Sequence, residues 1–227
     1  KEGLSLRDAM RLQLMPERFL GLSSQEIDHG ISNGKWLESV IQKLADPSLI
    51  SSVRPHKTFK AKLREYQKKG LNWLHFLHSL NFGACLADDM GLGKTVQALA
   101  FCSQLESKAP ALIVGPTNVI FNWESEIKKF LPSKKAIVYT GSNRTTKLEK
   151  LLKTDFVITS FGILKNDLEY IKSINYKAIF VDEAQFMKNP RSQISKAIKS
   201  MQSRFKIVMT GTPVENHLQD LWNLIDF

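Results

Sequence analysis

Cysteine is scarce in this chain: among 227 residues there are two, Cys85 and Cys102. That count and separation exclude a disulfide framework and a cysteine-rich zinc site. Both lie in apolar stretches, as small core residues do in a reducing compartment. Long apolar runs are missing too. No window approaches the ~18 apolar residues of a membrane-spanning helix, and no basic-then-apolar leader opens the chain, so no membrane partner is expected. The first residue, Lys1, is not methionine and reads as a cut end. Acids are nearly absent from two long stretches. From Lys128 to Lys153 eight Lys or Arg face one acid, Glu149, and between Ala184 and Val214 six face none. What is present is an ordinary globular balance, 43% hydrophobic and 24% charged. This is enough to bury a core in one large domain, with or without a small helical appendage. Thirty-two basic residues against 22 acidic ones give a net charge of +10. A solvated lysine-rich surface and a polyanion footprint both fit that excess, and motifs must separate them.

Residues 1–57 differ from the rest. Trp36, Leu37, Val40, Ile41 and Leu44 recur at helical spacing, Asp46-Pro47 stops that helix, and Ser51 to Lys57 reads as a linker. The expected organisation is therefore a helical appendage with linker over 1–57, and a main domain over 58–227. From Lys62 onward the pattern alternates. A helix is predicted over Leu63–Leu80 and another from Lys94 to about Glu106. Strand-length apolar runs occur at Phe82–Ala87, Ala111–Gly115, Ala136–Tyr139, Phe156–Thr159, Ala178–Val181 and Lys206–Met209. Near-continuous apolar strands between helices predict an α/β fold, with a mostly parallel sheet covered on both faces. The loops that leave the strands then share one edge, where ligands bind in such folds.

Two motifs fall on that edge. Asp88-Asp89-Met90-Gly91-Leu92-Gly93-Lys94-Thr95 follows the first apolar run and opens a helix. Glycines let backbone N–H groups turn inward toward phosphate oxygens, and the helix N-terminus adds positive potential. Lys94 suits the β- and γ-phosphates and the Thr95 hydroxyl suits Mg2+. The strict phosphate-loop string begins with glycine, and here Asp88 holds that place. The second motif is the strand Ala178–Val181 ending in Asp182-Glu183. Asp182 suits the metal through its water shell, and Glu183 suits the role of base toward a water attacking the γ-phosphorus.

These residues resemble the Swi/Snf-type ATPases of helicase superfamily two. The resemblance is carried by the loop Asp88–Thr95 after Leu86-Ala87, and by Asp182-Glu183-Ala184-Gln185 followed by Lys188-Asn189-Pro190. It continues through Leu63-Arg64-Glu65-Tyr66-Gln67 with Gly70, Trp73 and Leu74, and through Val114-Gly115-Pro116-Thr117 with Asn122-Trp123. Ile158-Thr159-Ser160-Phe161-Gly162 and Thr210-Gly211-Thr212-Pro213-Val214-Glu215-Asn216 complete the series across residues 59–227. Gln185 stands where many relatives have His, and Glu65 where Pro is frequent. The wording of the two acidic motifs is closer to prokaryotic members, which would place the protein in the cytoplasm with the nucleoid (in a eukaryote, in the nucleus).

The resemblance implies a RecA-like three-layer sandwich forming the first, ATP-binding lobe of a two-lobe motor on double-stranded DNA. The second RecA-like lobe is expected beyond Phe227 as the partner that supplies arginines, leaving this piece with little activity of its own. ATP and Mg2+ are the implied cofactors, and a DNA-bound protein is an implied target. Arg64 and Gln67 are implied at the adenine, with Met90, Gly91, Leu92, Gly93, Lys94 and Thr95 along the phosphates. Lys94, Asp182 and Glu183 are the implied catalytic group, and Gln185, Thr210, Gly211 and Thr212 the implied coupling to DNA. Thr117, Asn118, Ser160 and Phe161 lie in segments that track a DNA strand in the family, and hydroxyls there suit phosphate contact. Thr117 is equally placed to cap a helix. Lys128 and Lys129 join this set through charge. Trp73 and Trp123 are expected as core anchors rather than base-stacking platforms. A strand-separating DNA or RNA helicase, a small-molecule phosphotransferase of the same phosphate-loop class and a passive DNA-binding module are the alternative readings.

Overall fold

The computed structural model describes residues 35–142, 144, 148–187, 189 and 191–212; Lys188, Pro190 and the stretch Pro213–Asn216 lie outside them. The chain divides into two compact units, Lys1–Leu49 and Ile50–Phe227. In the first, helix α1 spans Lys35–Ala45 and is followed by a 3-10 turn, Pro47–Leu49. The helix stops where Asp46-Pro47 predicts, because proline has no N–H to continue the ladder. The Asp46 carboxylate instead accepts from the Ser48 N–H at 2.9 Å.

The second unit is built on six strands: β1 (Ala84–Leu86), β2 (Ala111–Gly115), β3 (Ala136–Val138), β4 (Phe156–Ser160), β5 (Ala178–Val181) and β6 (Lys206–Met209). Their order is β1-β6-β5-β2-β4-β3, and every pairing is parallel. The strands β2, β4 and β5 are buried at every residue, whereas edge strand β3 is half-buried. This is why the central runs carry no polar alternation. Both faces are covered, so each residue needs an apolar side chain whichever way it points.

Among the described residues the helices of the second unit begin with α2 (Glu65–Ser79), α3 (Lys94–Cys102), α4 (Thr117–Phe130), α5 (Leu148–Leu151), α6 (Phe161–Asn166) and α7 (Leu168–Lys172). After the 3-10 turn Ala184–Met187 comes α8 (Gln193–Ser200). On one face of the sheet Leu112, Val114, Val157, Ile179 and Val181 pack with Leu164 of α6, Ile171 of α7 and Ile198 of α8. Alternation sends Phe180 to the other face, where its ring meets Trp123 of α4 at 6.3 Å between centroids. The result is helix, sheet, helix: an α/β three-layer sandwich in which the sheet is parallel throughout. Because all strands run the same way, their exits fall on one edge.

The end of α3 and the segment before α2 depart from the sequence expectation. Helix α3 ends at Cys102 rather than near Glu106. Beyond it Ser103 accepts from the His56 N–H at 3.0 Å, and Gln104 donates to the Arg54 carbonyl, so these side chains serve the segment before α2 and the backbone turns. That same segment, read as a linker, also gives its Val53 N–H to Asn72 of α2 at 2.9 Å.

Gly70 sits inside α2 for a reason the helix alone does not supply. A Cβ there would lie 1.8 Å from Oε1 of Gln97. Gln97 of α3 is buried at 1% exposure and donates to Asp88 at 2.7 Å. Gly70→Ala gains ~1 kcal/mol of helix propensity. Displacing Gln97 costs about 1–3 kcal/mol in overpacking and a hydrogen bond of about 1 kcal/mol. The variant is expected to melt at a lower temperature in calorimetry, and the same change in a Gln97→Ala background to be neutral or stabilising.

Candidate functional site

The loop leaving β1 turns through two left-handed glycines, Gly91 and Gly93, each at φ 82°, before α3 begins at Lys94. Side chains other than glycine rarely adopt that geometry. At Gly93 a Cβ would also meet Nε2 of Gln67 at 2.6 Å, so the site demands glycine twice over. Lys94 folds back over the loop and donates to the carbonyls of Asp88 at 2.7 Å and Asp89 at 3.1 Å. Asp88, the departure from the strict motif, is explained by Gln97, whose amide its carboxylate accepts. From α2, the Tyr66 hydroxyl and Gln67 Nε2 both donate to the Leu92 carbonyl, at 3.0 and 3.1 Å. Gln67 Oε1 accepts from the Arg64 N–H at 2.9 Å, so Gln67 ties the start of α2 to the glycine loop.

The acidic tip leaves β5 beside β2. The Asp182 N–H donates to the Val114 carbonyl at 2.8 Å, extending the ladder by one residue. Both carboxylate oxygens of Asp182 are engaged: Oδ2 accepts from Trp123 Nε1–H at 2.8 Å and Oδ1 from the Glu183 N–H at 2.9 Å. Burial pushes the Asp182 pKa up. The Trp123 and Glu183 hydrogen bonds oppose this, repulsion from Glu183 adds to it, and the positive charge of Lys94 opposes it. Lys94 and Asp182 therefore share one electrostatic neighbourhood.

Glu183 adopts φ 51°, a left-handed conformation that is uncommon for a side chain of this kind and recurs at functional turns. Its Oε2 accepts from Gln185 Nε2 at 2.7 Å, and Gln185 Oε1 accepts from the Thr210 hydroxyl at 3.1 Å. The same hydroxyl accepts from the Thr212 N–H at 3.1 Å. Thr210, fully buried, gives its own N–H to the Leu86 carbonyl at 3.2 Å. An unbroken hydrogen-bond chain thus joins the acidic tip to the exits of β6 and β1. A cavity of about 270 Å³ opens here, lined by Met90 of the glycine loop, Asn118, Glu183, Gln185, Gly211 and Thr212.

The remaining candidates split. Thr117 and Asn118 are exposed at the start of α4, on the strand-exit edge. Ser160 and Phe161 reach the same edge but are buried, at 6% and 5% exposure. The Ser160 hydroxyl caps α6 by accepting from the Ile163 N–H, and the Phe161 ring packs 5.6 Å from Phe186. Lys128 and Lys129 occupy the last turn of α4. A helix rises ~1.5 Å per residue, so twelve residues from Thr117 carry Lys129 roughly 18 Å away, toward the opposite edge. There Lys128 pairs with Glu124 at 2.9 Å and Lys129 lies over the Phe130 ring. Sequence reasoning missed Gln97 and the Trp123–Asp182 bond. Trp123 is indeed a core anchor, 2% exposed, and its partner lies 59 residues away, beyond any local pattern.

Fold and edge together define a phosphate-loop α/β domain. Within that class the SNF2-related domain matches residues 66–227, and the chain belongs to that family. It is similar to YwqA of Bacillus subtilis, with 37% identity over 240 residues covering all of this chain and 26% of YwqA. It is also similar to the TATA-binding protein-associated factor MOT1 of Saccharomyces cerevisiae, at 34% identity over 204 residues, 82% of this chain and 11% of MOT1. The chain thus spans about a quarter or less of the length of these relatives. Among solved structures, the Sulfolobus solfataricus SWI2/SNF2 ATPase core in complex with dsDNA superposes with a TM-score of 0.71 at 41% identity, over 77% of this chain and 37% of that one.

Proposed function

We propose that this chain is the first, ATP-binding lobe of a motor that hydrolyses ATP to move along double-stranded DNA without separating its strands. The observation that carries this reading is a cavity to which the glycine loop contributes Met90, the acidic tip Glu183 and the exit of β6 Gly211 and Thr212. At about 270 Å³ it falls below the ~300–1,000 Å³ of whole small-molecule sites, a size suited to a terminal phosphate and its attacking water. Lys94 exchanges its two loop carbonyls for phosphate oxygens. Glu183, held by Gln185, orients the water and accepts its proton. Gln67 spends one amide N–H and one carbonyl lone pair on the fold and keeps one of each for the adenine edge, with Arg64 beside it.

Thr95 and Asp182 offer hard oxygen donors on this edge, which fit Mg2+. Among the described residues no group of three or more His, Cys, Asp or Glu side chains is placed to hold a metal ion by itself. The ion would therefore share its coordination with the nucleotide phosphates, the usual arrangement for Mg2+. When bound, Mg2+ neutralises charge on the transferring group. The chain from Glu183 through Gln185 to Thr210 and Thr212 is the route by which nucleotide state reaches the DNA-contacting loops. Thr117 and Asn118 meet phosphates directly, whereas Ser160 and Phe161 act through backbone groups because their side chains belong to the core. Lys128 and Lys129 add non-specific attraction from the far edge. A second lobe supplies arginines to the transition state, an effect of ~10³–10⁵ in phosphoryl-transfer enzymes. The identity with a dsDNA-bound core from Sulfolobus supports duplex DNA as the track.

ATP hydrolysis by the whole protein, measured with and without duplex DNA, tests the proposal. The expected result is stimulation by duplex at low salt, decaying as salt rises, with no product in a strand-displacement assay. Turnover indifferent to DNA would refute the motor reading, and efficient unwinding would replace it with a helicase.

A further inference from the structure

Trp123 does more than fill the core. Its ring is fixed by packing on Phe180 of β5, and Phe180 lies two residues before Asp182, on the same face of the strand. The indole N–H is thereby aimed at the strand tip and donates to Asp182 Oδ2 at 2.8 Å. The backbone of Asp182 is held independently by Val114. The tip also lies against β2, since a Cβ on Gly115 would stand at ordinary contact distance, 3.5 Å, from Asp182 Cβ. One oxygen of Asp182 is thus oriented by its own neighbour, Glu183 N–H, and the other from helix α4. A buried indole needs an acceptor, and any strand-end carbonyl would have served. Here the acceptor is the carboxylate assigned to the metal.

We propose that Trp123 is a positioning residue that holds the Asp182 carboxylate in the orientation required to bind Mg2+ together with the nucleotide. This rests on the assignment of Asp182 given above. Residues that orient a metal ligand through a hydrogen bond commonly contribute 10–100-fold to metal affinity, and Trp123 is expected to act on ion binding in addition to its part in the core.

The test uses the whole protein and a fluorescent, non-hydrolysable ATP analogue, titrated with Mg2+. Trp123→Phe keeps an aromatic ring in the core and removes the donor together with the pyrrole ring that carries it. It is expected to raise the Mg2+ concentration at half-saturation by ~10-fold or more, with binding recovered at saturating Mg2+. In 5-fluorotryptophan-labelled wild type, the fluorine resonance of Trp123 (assigned by its loss in Trp123→Phe) is expected to shift when Mg2+ joins the analogue, and to stay still in Asp182→Asn. If Trp123→Phe fails to fold, benzothienylalanine at this position removes the N–H while preserving the shape of the indole. An unchanged Mg2+ midpoint accompanied only by a lower melting temperature would overturn the proposal and leave Trp123 as core. An Asp182→Asn protein with wild-type Mg2+ dependence would instead sink the assignment of Asp182 itself, whatever Trp123 does.

Discussion

Glu183→Gln in the whole protein is expected to bind ATP as tightly as the wild type while hydrolysing it ~10²–10⁴-fold more slowly, the contribution typical of a positioned general base. The reasoning is geometric. Glutamine has the same shape, its carbonyl oxygen still accepts from Gln185 Nε2 where Glu183 does so at 2.7 Å, and the strained backbone at φ 51° is asked to carry a residue of equal size. What is lost is a group that can take a proton. Binding of a fluorescent nucleotide and single-turnover hydrolysis, measured on the same preparation, separate the two effects. Normal turnover would remove Glu183 from the mechanism, whereas lost binding would show that its charge serves the nucleotide rather than the water.

Lys94→Ala is expected to weaken nucleotide binding by ~10–100-fold, since hydrogen bonds to charged groups contribute about 1.5–3 kcal/mol, and to leave the melting temperature nearly unchanged. Among the described residues the ammonium bonds the Asp88 and Asp89 carbonyls, in a loop where Asp89 and Met90 are exposed, so water can replace it in the free protein. It cannot be replaced where phosphate charge concentrates. Its loss also removes the positive charge that favours the ionised form of Asp182, so Mg2+ binding should suffer with it. Isothermal titration with ATP and Mg2+, beside calorimetric unfolding, checks both halves. A variant that binds normally would mean the loop holds phosphates by backbone N–H groups alone.

The strands β2, β5 and β6 lie where their apolar runs begin and end, and β4 extends one residue further, to Ser160. Such runs are legible because burial on two faces leaves no choice of residue type. The glycine loop is legible for a similar reason: positive φ at Gly91 and Gly93 restricts the residue to one kind. Helix α3 stops at Cys102, short of its periodic pattern, because Ser103 and Gln104 bond His56 and Arg54, and propensity carries no information about such distant partners. The DNA candidates were grouped by motif and charge, yet α4 carries Thr117 and Lys129 to opposite ends of one helix, a separation invisible to counting.

Local chemistry was sufficient for the layered α/β plan, the phosphate-type turn and the acidic strand end, because each depends on backbone geometry or on uniform burial that the residues themselves enforce. Long-range packing alone set the pairings that shape the site: Gly70 against Gln97, Trp123 on Asp182, and the link from Glu183 through Gln185 to Thr210. Apart from the local Glu183–Gln185 bond, those contacts join residues many positions apart, and their geometry exists only once the sheet has brought the strand ends together.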